Sequence, residues 1–182
     1  MRKLSIMSQM SLDGFYEGPG DGWQTIDWHR VDEAWNRWSI ESLEATGTLL
    51  FGRKTFEGFA SFWPTQQGDI ARLINDIDKA VVSRTLKALG WNNARLLGDD
   101  LAAAIPALKA EPGGPIAVYG SGSLVQSLTE LGLVDEYIVA LVPVALGKGK
   151  PLFRAGAERL NLELVDTRIF PNGVIAATYR PA

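Results

Sequence analysis

The chain has 182 residues, 46% of them hydrophobic and 21% charged, which is ordinary for a globular protein and fits one domain over residues 1–182. Eighteen basic against twenty-one acidic residues leave a net charge of −3, which argues against an electrostatic nucleic-acid surface. Cysteine is absent and His29 is the only histidine, so disulfides and thiolate chemistry are excluded, and a metal centre would need carboxylates alone. No acidic loop is spaced for calcium, and no metal site is expected.

Along the chain, Leu4-Ser5-Ile6-Met7-Ser8-Gln9 is too short and polar for a signal segment and reads as a first strand. No apolar run reaches the roughly 20 residues of a bilayer span, so the expectation is a cytoplasmic protein that does not enter membranes. A helix is expected from Trp28 to about Ala45, with Val31, Trp35, Trp38 and Leu43 near one face and Asp32, Arg37, Glu41 and Glu44 solvated. The runs Ala80-Val81-Val82, Ile116 to Tyr119 and Tyr137 to Val142 lack polar alternation, as strands covered on both faces do. Further helices are expected from Asp99 to about Ala110, bent or shortened by Pro106, and from Ser121 to about Leu131. Two apolar segments flanking Pro171-Asn172-Gly173 predict a closing antiparallel hairpin. Strand and helix alternate, which defines an α/β fold with a mostly parallel central sheet.

Two turns carry the first chemical signal. Gly52-Arg53-Lys54-Thr55 follows the buried run Thr48 to Phe51 and opens a helix, and Gly120-Ser121-Gly122-Ser123-Leu124 does the same after Tyr119. Free N–H groups at a helix start attract anions, and the helix dipole adds to the pull. Either turn alone is equally a tight connection whose glycines only permit packing; the pair points to both phosphate ends of a dinucleotide. The third glycine of the Rossmann fingerprint and a Gly-Lys-Ser/Thr phosphate loop are both missing. Arg53, Lys54, Ser83 and Arg84 supply cations and a hydroxyl after buried strands, where an open sheet binds its ligand. A guanidinium suits an additional 2′-phosphate, although solvated cations read the same way.

The segment Ser11 to Gly22 packs four glycines and three acids, as a lid or a plain surface loop does, and Asp13 stands at the strand exit. A Ser-His-Asp hydrolase is disfavoured because no Gly-x-Ser-x-Gly elbow accompanies His29, which reads as a surface residue at a helix start. Trp23, Trp28 and Trp63 are candidates for core or dimer packing, or for stacking on a planar ring. Gly147-Lys148-Gly149-Lys150 reads as a phosphate cradle or a mobile loop.

Taken in order, Met10-Ser11-Leu12-Asp13-Gly14, Leu50 to Glu57, Val82-Ser83-Arg84-Thr85, Gly120 to Leu124 and Pro143 to Phe153 resemble segments of the dihydrofolate reductase-like superfamily, particularly the C-terminal reductase domain of bifunctional riboflavin-biosynthesis enzymes. The resemblance spans nearly the whole chain. It implies a three-layer fold, with NADPH across the carboxyl ends of the strands. Arg53, Lys54, Thr55, Ser83 and Arg84 would hold the adenosine phosphates, and Gly52 and Gly120 to Leu124 would line the rest of the phosphate path. It further implies reduction of a small heterocyclic or sugar-bearing pyrimidine, as by a 5-amino-6-(5-phosphoribosylamino)uracil reductase. The Trp-rich surfaces and apolar strands separately suggest a homodimer. Asn36 stands where dihydrofolate reductase carries its substrate-binding acid; Asp32, one turn earlier, and Asp13 are the carboxylates that would replace it in a catalytic role.

Overall fold

The computed structural model describes residues 1–182. In chain order, β1 (Leu4–Ser11) and β2 (Phe15–Glu17) precede α1 (Glu33–Glu44), and β3 (Thr48–Gly52) runs directly into α2 (Arg53–Phe62). Then come α3 (Asp69–Asp76), β4 (Asp78–Val82), β5 (Ala94–Leu97), α4 (Leu101–Ala110), β6 (Ile116–Tyr119), α5 (Gly122–Glu130), β7 (Glu136–Val142), β8 (Lys150–Pro151), β9 (Leu162–Ile169) and β10 (Ile175–Pro181).

Eight strands form one sheet in the order β5-β4-β3-β6-β1-β7-β10-β9. The six from β5 to β7 are parallel, whereas β10 runs antiparallel to both β7 and β9, giving the expected closing hairpin. Alternation along each strand builds the layers. Leu50 of β3 and Ile116 and Val118 of β6 face α4 and α5, while Leu49, Phe51 and Ala117 point to the opposite side, where Phe56 of α2 and Ile74 of α3 pack. A third cluster sets Trp35 of α1 against Ala140, Val142, Phe170 and Ala176, covering the β7–β10 side.

Several sequence expectations need correction. The first helix begins at Glu33 rather than Trp28, because the Asp32 carboxylate accepts the Trp35 N–H at 2.7 Å and caps it. Val31 thus falls outside the helix and is exposed, not part of its buried face. Pro106 neither ends nor shortens α4, which runs ten residues through it from its cap at Asp100. The short strands β2 and β8, the edge strand β5 and helix α3 lay outside the sequence reading. No helix is long and apolar enough to cross a membrane, and no cluster of acidic or histidine side chains is arranged to hold a metal ion.

The strand order creates the crevice. From β3 the chain moves outward to β4 and β5, whereas α5 carries it from β6 past β1 to β7. The carboxyl ends of β3, β6 and β1 therefore lie where the winding reverses, the position at which open α/β sheets bind ligands.

Close backbone approach holds the opposite ends of these strands. A Cβ on Gly47 would stand 2.6 Å from the Gly114 nitrogen, and Gly47 N–H donates to Pro115 O at 2.8 Å. Gly47→Ala should therefore destabilise the fold by about 1–3 kcal/mol through overpacking. Gly58→Ala, inside α2 with open space around the new methyl, should stabilise it by about 0.5–1 kcal/mol. Urea unfolding of the two variants should move in opposite directions.

Candidate active site

The carboxyl ends of β3 and β6 are tied together. Gly52 N–H donates to Ser121 Oγ at 3.0 Å, and Ser121 N–H donates to Thr55 Oγ1 at 3.0 Å. This reciprocal pair brings the starts of α2 and α5 side by side. Neither start has a side-chain cap, so the first N–H groups of both helices lack intrahelical partners. Gly120 (φ 60°) and Ser121 (φ 57°) are both left-handed, which turns the chain sharply out of β6 and into α5. For a serine that conformation is uncommon, and its hydrogen bonds with Gly52 and Thr55 hold it.

Beside these starts opens a cavity of about 410 Å³. Met7, Ser8 and Gln9 from the end of β1 and Tyr119 and Gly120 from β6 form its floor. Lys54, Thr55, Gly58 and Phe59 of α2 form one wall, and Trp35 and Ser39 of α1 another. The roof is the segment following β1, with Tyr16, Glu17, Asp21, Trp23 and His29, together with Lys150.

The roof starts as a strand pair and continues into a 3-10 turn over Trp23–Ile26. β2 pairs with β8, and the Lys150 ammonium meets the Glu17 carboxylate at 2.6 Å. Gly149 permits this: a Cβ there would overlap the Glu17 carbonyl oxygen. Lys148 and Lys150 thus belong to a docked segment rather than to a phosphate cradle. Gly122 plays the same part opposite Tyr16, whose ring lies directly over the start of α5.

The three catalytic candidates from the sequence do not gather in this cavity. Asp13 accepts the Ser11 hydroxyl at 2.6 Å, Leu146 N–H at 3.1 Å and Gly147 N–H at 2.6 Å. Its carboxylate is an anchor between the β1–β2 turn and the segment after β7, and the Ser11 hydroxyl first, then these backbone donors, hold its pKa down at about 2. Asp32 caps α1 with one oxygen and accepts Asn172 N–H at 3.2 Å with the other. Asn36 lines a second cavity of about 270 Å³ that adjoins the first.

Of the expected phosphate-binding residues, Lys54, Thr55 and Gly120 line the main cavity, with Gly52 and Ser121 locking the turns beneath. Leu124 is buried in the α5 core, and Gly122 and Ser123 form the first turn of α5. Arg53 is paired along α2 with Glu57 at 3.1 Å. Ser83 follows β4, beyond β3, and its hydroxyl accepts Leu86 N–H at 2.9 Å and Thr85 N–H at 3.2 Å. Arg84 is 80% exposed, with Asp99 at 4.0 Å, and like Arg53 and Ser83 it does not line the cavity.

His29 is not a surface residue at a helix start. It is half-buried in the roof, stands edge-on to Trp28 at 4.6 Å and has a buried Nε2 without a hydrogen-bond partner. Burial pushes its pKa down to about 4, so at neutral pH it is an uncharged imidazole. Burial likewise raises the Tyr119 hydroxyl and pushes Tyr16 up to about 12, so both phenols keep their protons and can donate hydrogen bonds. Ser8, Gln9, Tyr16, Ser39 and Tyr119 went unread in the sequence. The available signal was polar side chains at the end of an otherwise buried strand, as at Ser8, and a tyrosine directly before Gly120.

The layered sheet with its closing hairpin is a dihydrofolate reductase-like fold. Solved structures agree: a putative riboflavin biosynthesis protein from Shewanella sp. PV-4 superposes with a TM-score of 0.76 at 20% identity, covering 100% of this chain and 99% of its own. A dihydrofolate reductase from Enterococcus faecalis complexed with NADP(H) gives 0.65 at 15% identity over 98% and 96% of the two chains. The uncharacterized Bacillus subtilis protein YyaP is 33% identical over 183 aligned residues, 98% of this chain and 94% of YyaP. Residues 2–176 match the model of the RibD C-terminal domain, and the chain belongs to that family.

The Asp13 anchor has a pH signature. Its pKa is lower in the folded protein, at about 2, than its ordinary value of 3.8, so its stabilising effect is complete above that ordinary value. As pH falls from there through about 2, the unfolded chain takes up the proton first and the stabilisation is lost. Asp13→Asn should lower stability at neutral pH and flatten the acid limb between those two values, measured by urea midpoints across the interval.

Proposed function

We propose that the protein is an NADPH-dependent oxidoreductase that reduces a C=N or C=O bond in a pyrimidine- or pteridine-like heterocycle. One observation carries the reading: two uncapped helix starts are locked together by Ser121 at the reversal point of the sheet, beside a 410 Å³ cavity that Lys54 and Thr55 of α2 and Gly120 of the second turn line. Family membership and the likeness to a reductase complexed with NADP(H) support it.

The residues present fit the cofactor. Partnerless N–H groups at two adjoining helix starts suit a pyrophosphate, and the left-handed Gly120-Ser121 turn brings backbone close to it. On this reading Gly52, Lys54, Thr55 and Gly120 to Ser123 border the phosphate path, with Leu124 packed in the core beneath them, while Arg53, Ser83 and Arg84 take the adenosine end and its 2′-phosphate. When bound, NADPH would supply the hydride. The protein's share is to orient and polarise: Tyr119 and Tyr16 donate protonated hydroxyls, and Ser8, Gln9, Ser39 and neutral His29 read the heterocycle's polar edge. Asp13 serves by positioning the roof and Asp32 by holding α1 in register with the hairpin turn.

A second reading, binding of NADP(H) without turnover, draws on Asn36, which stands where the resemblance calls for an acid. Loss of NADPH absorbance with any member of a pterin and pyrimidine panel would exclude it.

Trp23 and Trp35 line the cavity, so cofactor titrations should quench tryptophan fluorescence. NADPH should bind more tightly than NADH, and Arg84→Ala should cost NADPH about tenfold in affinity, about 1.4 kcal/mol, with little effect on NADH. Lys54→Ala should weaken both. Equal losses in Arg84→Ala would reject the 2′-phosphate assignment, and failure to bind either nucleotide would reject the oxidoreductase reading.

A further inference from the structure

The second cavity shares Trp35, Ser39, Phe59 and Tyr119 with the first, so the two are neighbouring lobes that adjoin across these side chains. Their chemistry differs sharply. The main lobe presents hydroxyls, an amide and an imidazole, whereas the remaining wall of the second is Val31, Leu43, Leu49, Ile70 and Ile74, with Trp63 and the single amide of Asn36. No charged residue lines it.

Cations are equally scarce elsewhere. The main cavity has two lysines: Lys150 is neutralised by Glu17 at 2.6 Å, and Lys54 opens α2 beside the phosphate path. An anionic arm on the substrate would enter the second lobe without a counter-charge, and an unpaired buried charge is strongly disfavoured. An apolar arm would gain from the same walls in proportion to the area it buries.

We infer that the substrate is an uncharged, two-part molecule: a polar heteroaromatic head in the main cavity and an apolar, unphosphorylated arm in the lobe between α1, α2 and α3. This rests on the oxidoreductase reading for the head, while the arm is argued from the second lobe alone. It separates the protein's specificity from that of a phosphoribosyl-bearing pyrimidine reductase.

Two probes with a common head test it without cofactor: 6-phenylpterin and pterin-6-carboxylate, each titrated against the full chain by tryptophan fluorescence, since Trp35 and Trp63 border the lobe. The phenyl compound should bind at least about tenfold more tightly. Val31→Arg places a cation at an exposed position on the lobe's wall, so it should fold with an unchanged melting temperature, and should erase or reverse that preference. Ile70→Ala, which removes apolar wall from α3, should weaken the phenyl compound and leave the carboxylate unchanged. Equal affinities, a preference for the carboxylate, binding of neither probe, or a preference untouched by both variants would overturn the inference. Because no nucleotide is present, these outcomes are separate from the NADPH titration, which decides the oxidoreductase reading by itself.

Discussion

Ser121 is the residue on which the site's geometry depends. It accepts from Gly52 N–H, donates its own N–H to Thr55 and does so from a left-handed backbone. β3 and β6 are parallel neighbours, so their ends already lie at the same level; without the side-chain link their helices would be free to splay. The link aligns two helix dipoles on one place, and electrostatic attraction from both starts converges there. The left-handed backbone is offset by two hydrogen bonds, both partly buried.

Much of this was legible in the sequence because it is local. Gly52 and Gly120 announce themselves by following apolar runs and preceding helical ones, and the hairpin around Pro171-Asn172-Gly173 has its turn residues in plain view. The boundaries of β6 match their sequence expectation, and those of β7 and α5 fall within one residue of theirs. What could not be read is the pairing. β1 lies between β6 and β7, more than a hundred residues away in sequence, and nothing in the Leu4-Ser5-Ile6 pattern specifies those neighbours.

The acids show the same division. Asp13, Asp32 and Glu17 all sit where a carboxylate could do chemistry, and sequence cannot distinguish an acid awaiting a ligand from one whose partners are already in place. Asp32 is both a helix cap and the acceptor for Asn172, a contact spanning 140 positions. His29 was misread for the converse reason. Its exposure depends on the roof that folds over it, and the roof is fixed by contacts between residues 13–17 and 146–151, far apart along the chain.

The Asp13 anchor also bears on how costly it is to occupy the cavity. A glycine-rich cover that was loose in solution would have to be ordered with each binding event, and that lost freedom would be subtracted from the affinity of every ligand. Here one carboxylate with three donors, the β2–β8 pair and the Lys150–Glu17 contact settle much of that ordering when the chain folds. The cover is thereby preorganised, so discrimination between ligands falls to the groups lining the two lobes.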